Sequence, residues 1–182
     1  MIEEHSHRAA QEADLPAIVA IYNETIPSRQ VTADLEPVSV EGRRAWFADH
    51  RRATRPLWVV EREGEPAAWL SFSSFYGRPA YDATAEVSLY VAARARRQGI
   101  AAYLLRAAAA AAPQLGLHTL LGFIFSHNEP SLDLFAKLGY AQWGRLPRVA
   151  RLDGIERDLV ILGRRVAEGA PPASAGARRE GA

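Results

Sequence analysis

Residues 86–112 read EVSLYVAARARRQGIAAYLLRAAAAAA, and the stretch divides into three parts. Residues 86–91 alternate polar and apolar side chains and are rich in β-branched and aromatic types, the pattern of a strand. Residues 92–98 carry Arg94, Arg96 and Arg97 with almost no apolar anchor. From Gly99 the chain is rich in alanine and leucine, with Ile100, Tyr103, Leu104 and Ala107 at helical spacing, and the pattern stops at Pro113. A strand that enters a helix through a basic turn with a glycine at the helix start makes an anion site. The first N–H groups of a helix have no internal partner, and the dipole adds partial positive charge there. Taken alone, three such arginines are more ordinarily a solvated face and less often a nucleic-acid patch.

Working outward, residues 5–10 read as a short first strand. Asp14 is placed to cap a helix in which Leu15, Ile18, Val19 and Tyr22 share a face, with Pro16 tolerated in its first turn. Residues 25–37 have no clean period and read as a loop long enough to carry function. Ser39 is placed to cap a second helix running to His50, with Trp46 and Phe47 as its core contacts. Residues 57–61 and 66–74 read as two strands joined by a turn, and residues 75–82 (FYGRPAYD) as an aromatic loop. After the central strand and helix, residues 119–126 read as a buried strand and residues 129–138 as a helix closed by Gly139. Residues 140–146 and 155–163 read as the last two strands. The resulting order, β-α-α-β-β-β-α-β-α-β-β, is an α/β mixture too poor in strict alternation for a doubly wound nucleotide fold.

The 182 residues fit one domain, 1–166, followed by a flexible tail over 167–182 built of Ala, Gly, Pro, Ser and Arg. Hydrophobic residues make up 48%, and the net charge of +1 gives no general argument for nucleic acid. No apolar run is long enough to span a membrane, no signal peptide opens the chain, and cytoplasm is the default compartment. There is no cysteine, which excludes disulfides, thiol nucleophiles and cysteine-ligated zinc. His5 and His7, near the terminus, read as solvent-exposed rather than metal-binding, and no metal is expected.

The run Arg96-Arg97-Gln98-Gly99-Ile100-Ala101 resembles the acyl-CoA pyrophosphate loop of the GCN5-related N-acetyltransferases, Arg/Gln-x-x-Gly-x-Gly/Ala. That motif alone is weak. The surroundings add weight: Ile21-Tyr22-Asn23, Trp46-Phe47, Arg78-Pro79-Ala80-Tyr81, Glu86 to Val91, Asn128-Glu129-Pro130-Ser131 and Lys137-Leu138-Gly139-Tyr140 follow in the order of one branch. Across residues 8–166 the chain resembles the phosphinothricin N-acetyltransferase-like or L-amino acid N-acyltransferase group. The resemblance implies a mixed, mostly antiparallel sheet of six to seven strands with a V-shaped central splay, flanked by about four helices. It implies acetyl-CoA as co-substrate, held in the V by backbone groups of Leu89, Tyr90 and Val91. Backbone amides from Arg96, Arg97, Gln98, Gly99, Ile100, Ala101 and Ala102 would hold the pyrophosphate, with Asn128 and Ser131 as further contacts. Glu86 aligns with the glutamate proposed as general base. The resemblance also implies a small-molecule amine acceptor and a homodimer.

Attack of an amine on a thioester needs a base, because the amine is protonated near neutral pH. A strand-borne glutamate is ordinarily exposed or salt-bridged; Glu86, on a central strand, is placed where burial disfavours its charge. The oxyanion needs a backbone N–H, here on Leu89 or Tyr90. Two positions depart from pattern. Phe135 stands where many relatives carry Tyr or His, so Tyr140, water or no proton donor at all serves the leaving thiolate. Arg97 and Ala101 stand where relatives often have glycine. Arg78, Tyr76 and Thr32 are the candidate acceptor contacts, an arginine being suited to an amino-acid carboxylate; Arg29, Arg148 and Arg151 lie in other loops able to face the pocket, and Trp58 is a possible wall. Three readings follow: acetylation of an amino acid or analogue, the same chemistry on a polyamine, antibiotic or protein N-terminus, and a catalytically weak acyl-CoA-binding module.

Overall fold

The structure, a computed structural model, describes residues 5–167; from residue 168 on, the expected tail lies outside the described residues. Seven strands form one sheet: β1 (Arg8–Ala9), β2 (Leu57–Arg62), β3 (Glu65–Ser74), β4 (Thr84–Val91), β5 (Thr119–Phe125), β6 (Ala141–Leu152) and β7 (Ile155–Arg165), in the order β1-β2-β3-β4-β5-β7-β6. Every neighbouring pair is antiparallel except β4 and β5. Four α-helices complete the fold: α1 (Leu15–Asn23), α2 (Val40–Asp49), α3 (Ile100–Ala111) and α4 (Glu129–Lys137).

The period-2 pattern of the central strands divides the core between the two faces. On one face Val87 of β4, with Leu70 and Phe72 of β3, packs against Leu104, Leu105 and Ala108 of α3 and Phe135 of α4. On the other, Trp69 and Val59 pack against Leu15, Ile18 and Tyr22 of α1 and Phe47 of α2. The helices therefore sit two to a face, and the residues of β4 alternate between them.

Three local expectations change. Asp14 makes no side-chain hydrogen bond to α1. Its carboxylate accepts from the Gln11 N–H (2.7 Å) and pairs with Arg8 (2.6 Å), whose guanidinium holds its pKa below the ordinary value. The pattern of α3 gives way at Pro113 to a 3-10 turn, Ala112–Leu115, rather than to a loop. Strand β6 continues to Leu152, beyond the expected end at residue 146. It lies at the edge of the sheet, where Pro147 is absorbed by a register shift between Leu146 and Ala150. Ser39 behaves as expected: its hydroxyl accepts from the Gly42 N–H at 3.0 Å.

Trp143 sits in the irregularity between Gln142 and Gly144 and covers Gly163 of β7, where an added Cβ would come within 2.1 Å of the indole. Replacing Gly163 with alanine is expected to displace the ring and cost about 1–3 kcal/mol, read as a lowered denaturation midpoint with the slope of the transition unchanged.

Candidate active site

Strands β4 and β5 pair at only three positions, Thr84 with Thr119, Ala85 with Leu120 and Glu86 with Leu121. Beyond them β4 continues to Val91 on its pairing with β3, and β5 continues to Phe125 on its pairing with β7. The two strands separate, and a cleft of about 260 Å³ opens between them. Its walls include Val87 to Val91 on one side and Gly122 to Ile124 on the other. Each facing edge keeps backbone groups that no neighbouring strand satisfies.

Gly122 lines the cleft because nothing larger fits: a Cβ there would lie 2.6 Å from the Phe135 ring. Phe135 is itself a wall of the cleft, and behind it Tyr140 packs edge-on at 4.8 Å. The Tyr140 hydroxyl is buried with no partner among the described residues, its pKa pushed up to about 12 by burial, and the residue does not line the cleft.

The basic turn lies at the cleft's end. Gly99 precedes α3 with φ +83°, and Arg97 holds φ +62°. Both are left-handed conformations that glycine adopts without strain, so Arg97 occupies a position for which glycine is the easier choice. The first bond of α3 runs from the Tyr103 N–H to the Gly99 carbonyl at 3.0 Å. The amides of Ile100, Ala101 and Ala102 are left without a helical acceptor. Arg96 and Ala101 line the cleft; Arg97 and Gln98 are exposed beside it.

Asn128 and Ser131 also line the cleft, but Asn128 is already engaged. Its side-chain oxygen accepts from the Ser131 N–H (3.3 Å), capping α4, and its amide donates to the Gln30 carbonyl (3.2 Å). The neighbouring His127 Nε2 meets the Arg29 carbonyl at 2.8 Å. Together these side chains tie the loop after α1 across the mouth of the V, so Ser28, Gln30 and Val31 become part of its wall. Arg29 itself pairs with Asp153 in the β6–β7 turn (2.7 Å).

A second cavity of about 220 Å³ lies on the α1–α2 face of β4. Ser88 and Tyr90 line both cavities, so the two meet across the strand. Glu86 lines the second cavity, where burial raises its pKa above the ordinary carboxylate value, opposed in part by the Ser88 hydroxyl at 3.4 Å. Tyr90 stacks on Trp69, centroids 4.4 Å apart, and burial pushes its phenol well above the usual range. Helix α2 contributes Arg43 and Trp46 to the walls. One turn further His50 meets the Trp46 carbonyl through Nδ1 (2.7 Å) and the hydroxyl of Ser73, another wall residue, through Nε2 (3.2 Å).

A strand splay with unpaired edges, free helix amides and flanking arginines fits an extended acyl-pantetheine arm ending in a pyrophosphate. Comparisons with known proteins give the family. The acetyltransferase (GNAT) family model matches residues 16–140. The chain belongs to the GNAT acetyltransferase family. It is 55% identical over 158 residues to the phosphinothricin acetyltransferase-like protein YwnH of Bacillus subtilis, covering 86% of this chain and 96% of that one. It is 32% identical over 158 residues to the L-methionine sulfoximine/L-methionine sulfone acetyltransferase of Pseudomonas aeruginosa, covering 86% and 92%. Among solved structures, the GNAT superfamily phosphinothricin acetyltransferase from Sinorhizobium meliloti, in complex with AcCoA, superposes with a TM-score of 0.87 at 26% identity, covering 96% of this chain and 95% of that one. This GNAT acetyltransferase is thus an enzyme of the acetyl-CoA-using kind.

The other residues singled out in the sequence fall elsewhere. Tyr76 is 76% exposed and Arg78 is exposed, on a loop whose Phe75 stacks at 6.5 Å over Phe123, a wall of the cleft; neither Tyr76 nor Arg78 lines either of these two cavities. Thr32 is buried and hydrogen-bonded to the Tyr22 hydroxyl, behind the second cavity. Trp58 is a core residue of the α3 face, packed edge-on against Phe72. Arg148 and Arg151 are exposed on β6 and line neither cavity. Among the described residues no group of three or more His, Asp or Glu is arranged to hold a metal ion, and no helix is long and apolar enough to cross a membrane. The second cavity's cation, Arg43, was hidden in a helix read only for its core contacts. The signal was its spacing: Arg43, Trp46 and His50 fall on one face of α2.

Gly122→Ala is expected to press Phe135 into the cleft, raising the KM for acetyl-CoA in steady-state assays by about tenfold and costing about 1–3 kcal/mol of stability. Gly99→Ala puts strain into a left-handed position, where the added Cβ would meet only the His5 Nε2, at 3.5 Å. It is expected to weaken acetyl-CoA binding, by calorimetry, and to cost about 1–2 kcal/mol.

Proposed function

We propose that the chain transfers the acetyl group of acetyl-CoA to the primary amine of a small amino acid or close analogue, with Glu86 as general base. The observation that carries this reading is the meeting of the two cavities at Ser88 and Tyr90, with a half-buried carboxylate on the far side. Relatives that act on L-methionine sulfoximine and L-methionine sulfone support the acceptor class.

When bound, acetyl-CoA supplies the activated acyl carbon. Backbone groups of Leu89, Tyr90 and Val91 meet the acyl arm, which takes the place of the missing β5 pairing. The amides of residues 97–102, with Arg96 and Arg97, meet the pyrophosphate, and Ser131 lies within the cleft wall to contact it. Asn128 acts by holding the loop over the cleft. An N–H of Leu89 or Tyr90 meets the negative charge that develops on the carbonyl oxygen. The acceptor enters the second cavity as an ammonium ion and loses a proton to Glu86, directly or through water. Its nitrogen forms the new C–N bond as the C–S bond breaks, and the second proton that the nitrogen then sheds passes to water. Phe135 donates nothing and Tyr140 is shut away behind it, so coenzyme A leaves as the thiolate. The enzyme acts as a homodimer, a reading supported by the exposed apolar side chains Trp143, Leu146, Val149 and Ile155 on the β6–β7 hairpin.

Two outcomes test the base. Glu86 must be ionised to act, and its pKa lies above the ordinary 4.5; kcat/KM is therefore expected to fall as pH drops through that raised value, and the acid limb is expected to vanish in Glu86→Gln along with at least about 100-fold of the rate. A carboxyl whose folded pKa exceeds its unfolded value loses stability as pH rises through that window, so at pH 7 the charge of Glu86 is a cost to folding. Glu86→Gln is accordingly expected to be at least as stable as the parent by thermal unfolding, which separates lost chemistry from lost fold. An unchanged rate removes Glu86 from the mechanism.

A further inference from the structure

The second cavity contains one carboxylate and one guanidinium. Glu86 enters from β4, and Arg43 enters from α2 on the opposite wall. The rest of the lining is aromatic and hydroxylic: Tyr22, Trp46, Trp69 and Tyr90, with Ser71, Ser73 and Ser88. Arg43 is held firmly. Its guanidinium lies 4.6 Å over the Tyr22 ring and 5.7 Å from that of Trp46. Its Nη2 donates to Asp34 at 3.1 Å, and Asp34 in turn accepts from the Tyr22 hydroxyl at 2.5 Å. That is its one hydrogen bond among the described residues, and Nη1 and Nε are left without an acceptor.

A planar, stacked, oriented guanidinium with spare donors on a cavity wall suits a second carboxylate. The Arg43 side chain is half-buried, 26% exposed, and the rings beside it lower the local dielectric, which strengthens an ion pair formed on the cavity side. An α-amino acid is the complement of this cavity. Its ammonium needs the carboxylate of Glu86, its carboxylate needs a cation, and the two are separated by a single carbon. A monoamine without a carboxylate leaves Arg43's donors unmet, and a polyamine brings positive charge against it.

We infer that Arg43 is the carboxylate anchor of the acceptor site and sets the preference for amino acids over simple amines. The inference rests on the proposed acetyl transfer to a small amine. Asp34 and Tyr22 act through Arg43 by fixing the plane of its guanidinium.

The test compares two acceptors that differ only in the carboxylate: methionine sulfone and 3-(methylsulfonyl)propylamine. Both are assayed by thiol release from acetyl-CoA with the parent enzyme, Arg43→Gln and Arg43→Lys. The parent is expected to prefer methionine sulfone. Arg43→Gln is expected to raise the KM for methionine sulfone by about 10- to 100-fold, the loss of one charge-assisted pair. The KM for the propylamine, which has no carboxylate to lose, is expected to change by at least about tenfold less than that for methionine sulfone, and the KM for acetyl-CoA, which binds in the other cleft, to stay within about twofold. Arg43→Lys is expected to recover part of the loss, because charge returns without the fork. An Arg43→Gln enzyme that loses equally on both acceptors, or on neither, overturns the anchor and leaves the acetyltransferase reading standing. A parent enzyme that favours the propylamine overturns the anchor and the amino-acid reading together.

Discussion

Everything in this molecule that bears on chemistry depends on a hydrogen-bond ladder that stops early. Strands β4 and β5 run parallel for three residue pairs and then part. Buried backbone donors and acceptors are rarely left unpaired, because each costs roughly 1–3 kcal/mol when desolvated without a partner. The facing edges of residues 87–91 and 122–125 are therefore built to be completed by something else. An extended acyl-pantetheine arm, with its own amides, is chemically a short strand. The outer strands keep the splay open: β3 holds β4 through Val91, and β7 holds β5 through Phe125. Neither edge can relax toward the other without breaking a continuous antiparallel ladder.

The position of α3 follows from the same constraint. Where β4 ends, two left-handed residues, Arg97 and Gly99, turn the chain so that α3 begins at the open end of the V with its first amides unused. Its Leu104, Leu105 and Ala108 then bury themselves on the sheet. The helix thus stabilises the face of the splayed strand and supplies the anion site with one set of contacts. On the opposite face, the alternation of β4 sends Glu86, Ser88 and Tyr90 toward α1 and α2. One strand delivers both halves of the site because successive side chains point to opposite faces.

The sequence made the local parts of this plan readable. The change from a period of two to a period of 3.6 around Arg94 to Gly99 marks strand, turn and helix, and those boundaries match β4 and α3 to within two residues. Nothing in the residues says that β4 and β5 pair three times and no more, since pairing between distant strands is not a local property; the splay was legible only through family resemblance. The sequence reading ends the strand at residue 146, whereas β6 runs through Pro147 to Leu152, because an edge strand tolerates a proline. Asp14 resembled a cap and became an ion-pair partner of Arg8 instead. The acceptor side is read in the sequence from loop residues, Arg78 and Tyr76 among them, which stand outside both cavities, while Arg43 lies on a helix read only for its core contacts Trp46 and Phe47.

The most direct measurement is a crystal structure of the enzyme with acetyl-CoA bound. The account predicts the acyl arm lying between β4 and β5 and hydrogen-bonded to backbone groups of residues 89–91. The pyrophosphate should meet the amides at the start of α3, and the acetyl carbon should lie at Ser88 and Tyr90, open to the cavity that holds Glu86. An acetyl group directed away from that junction, or an arm bound outside the splay, would contradict it.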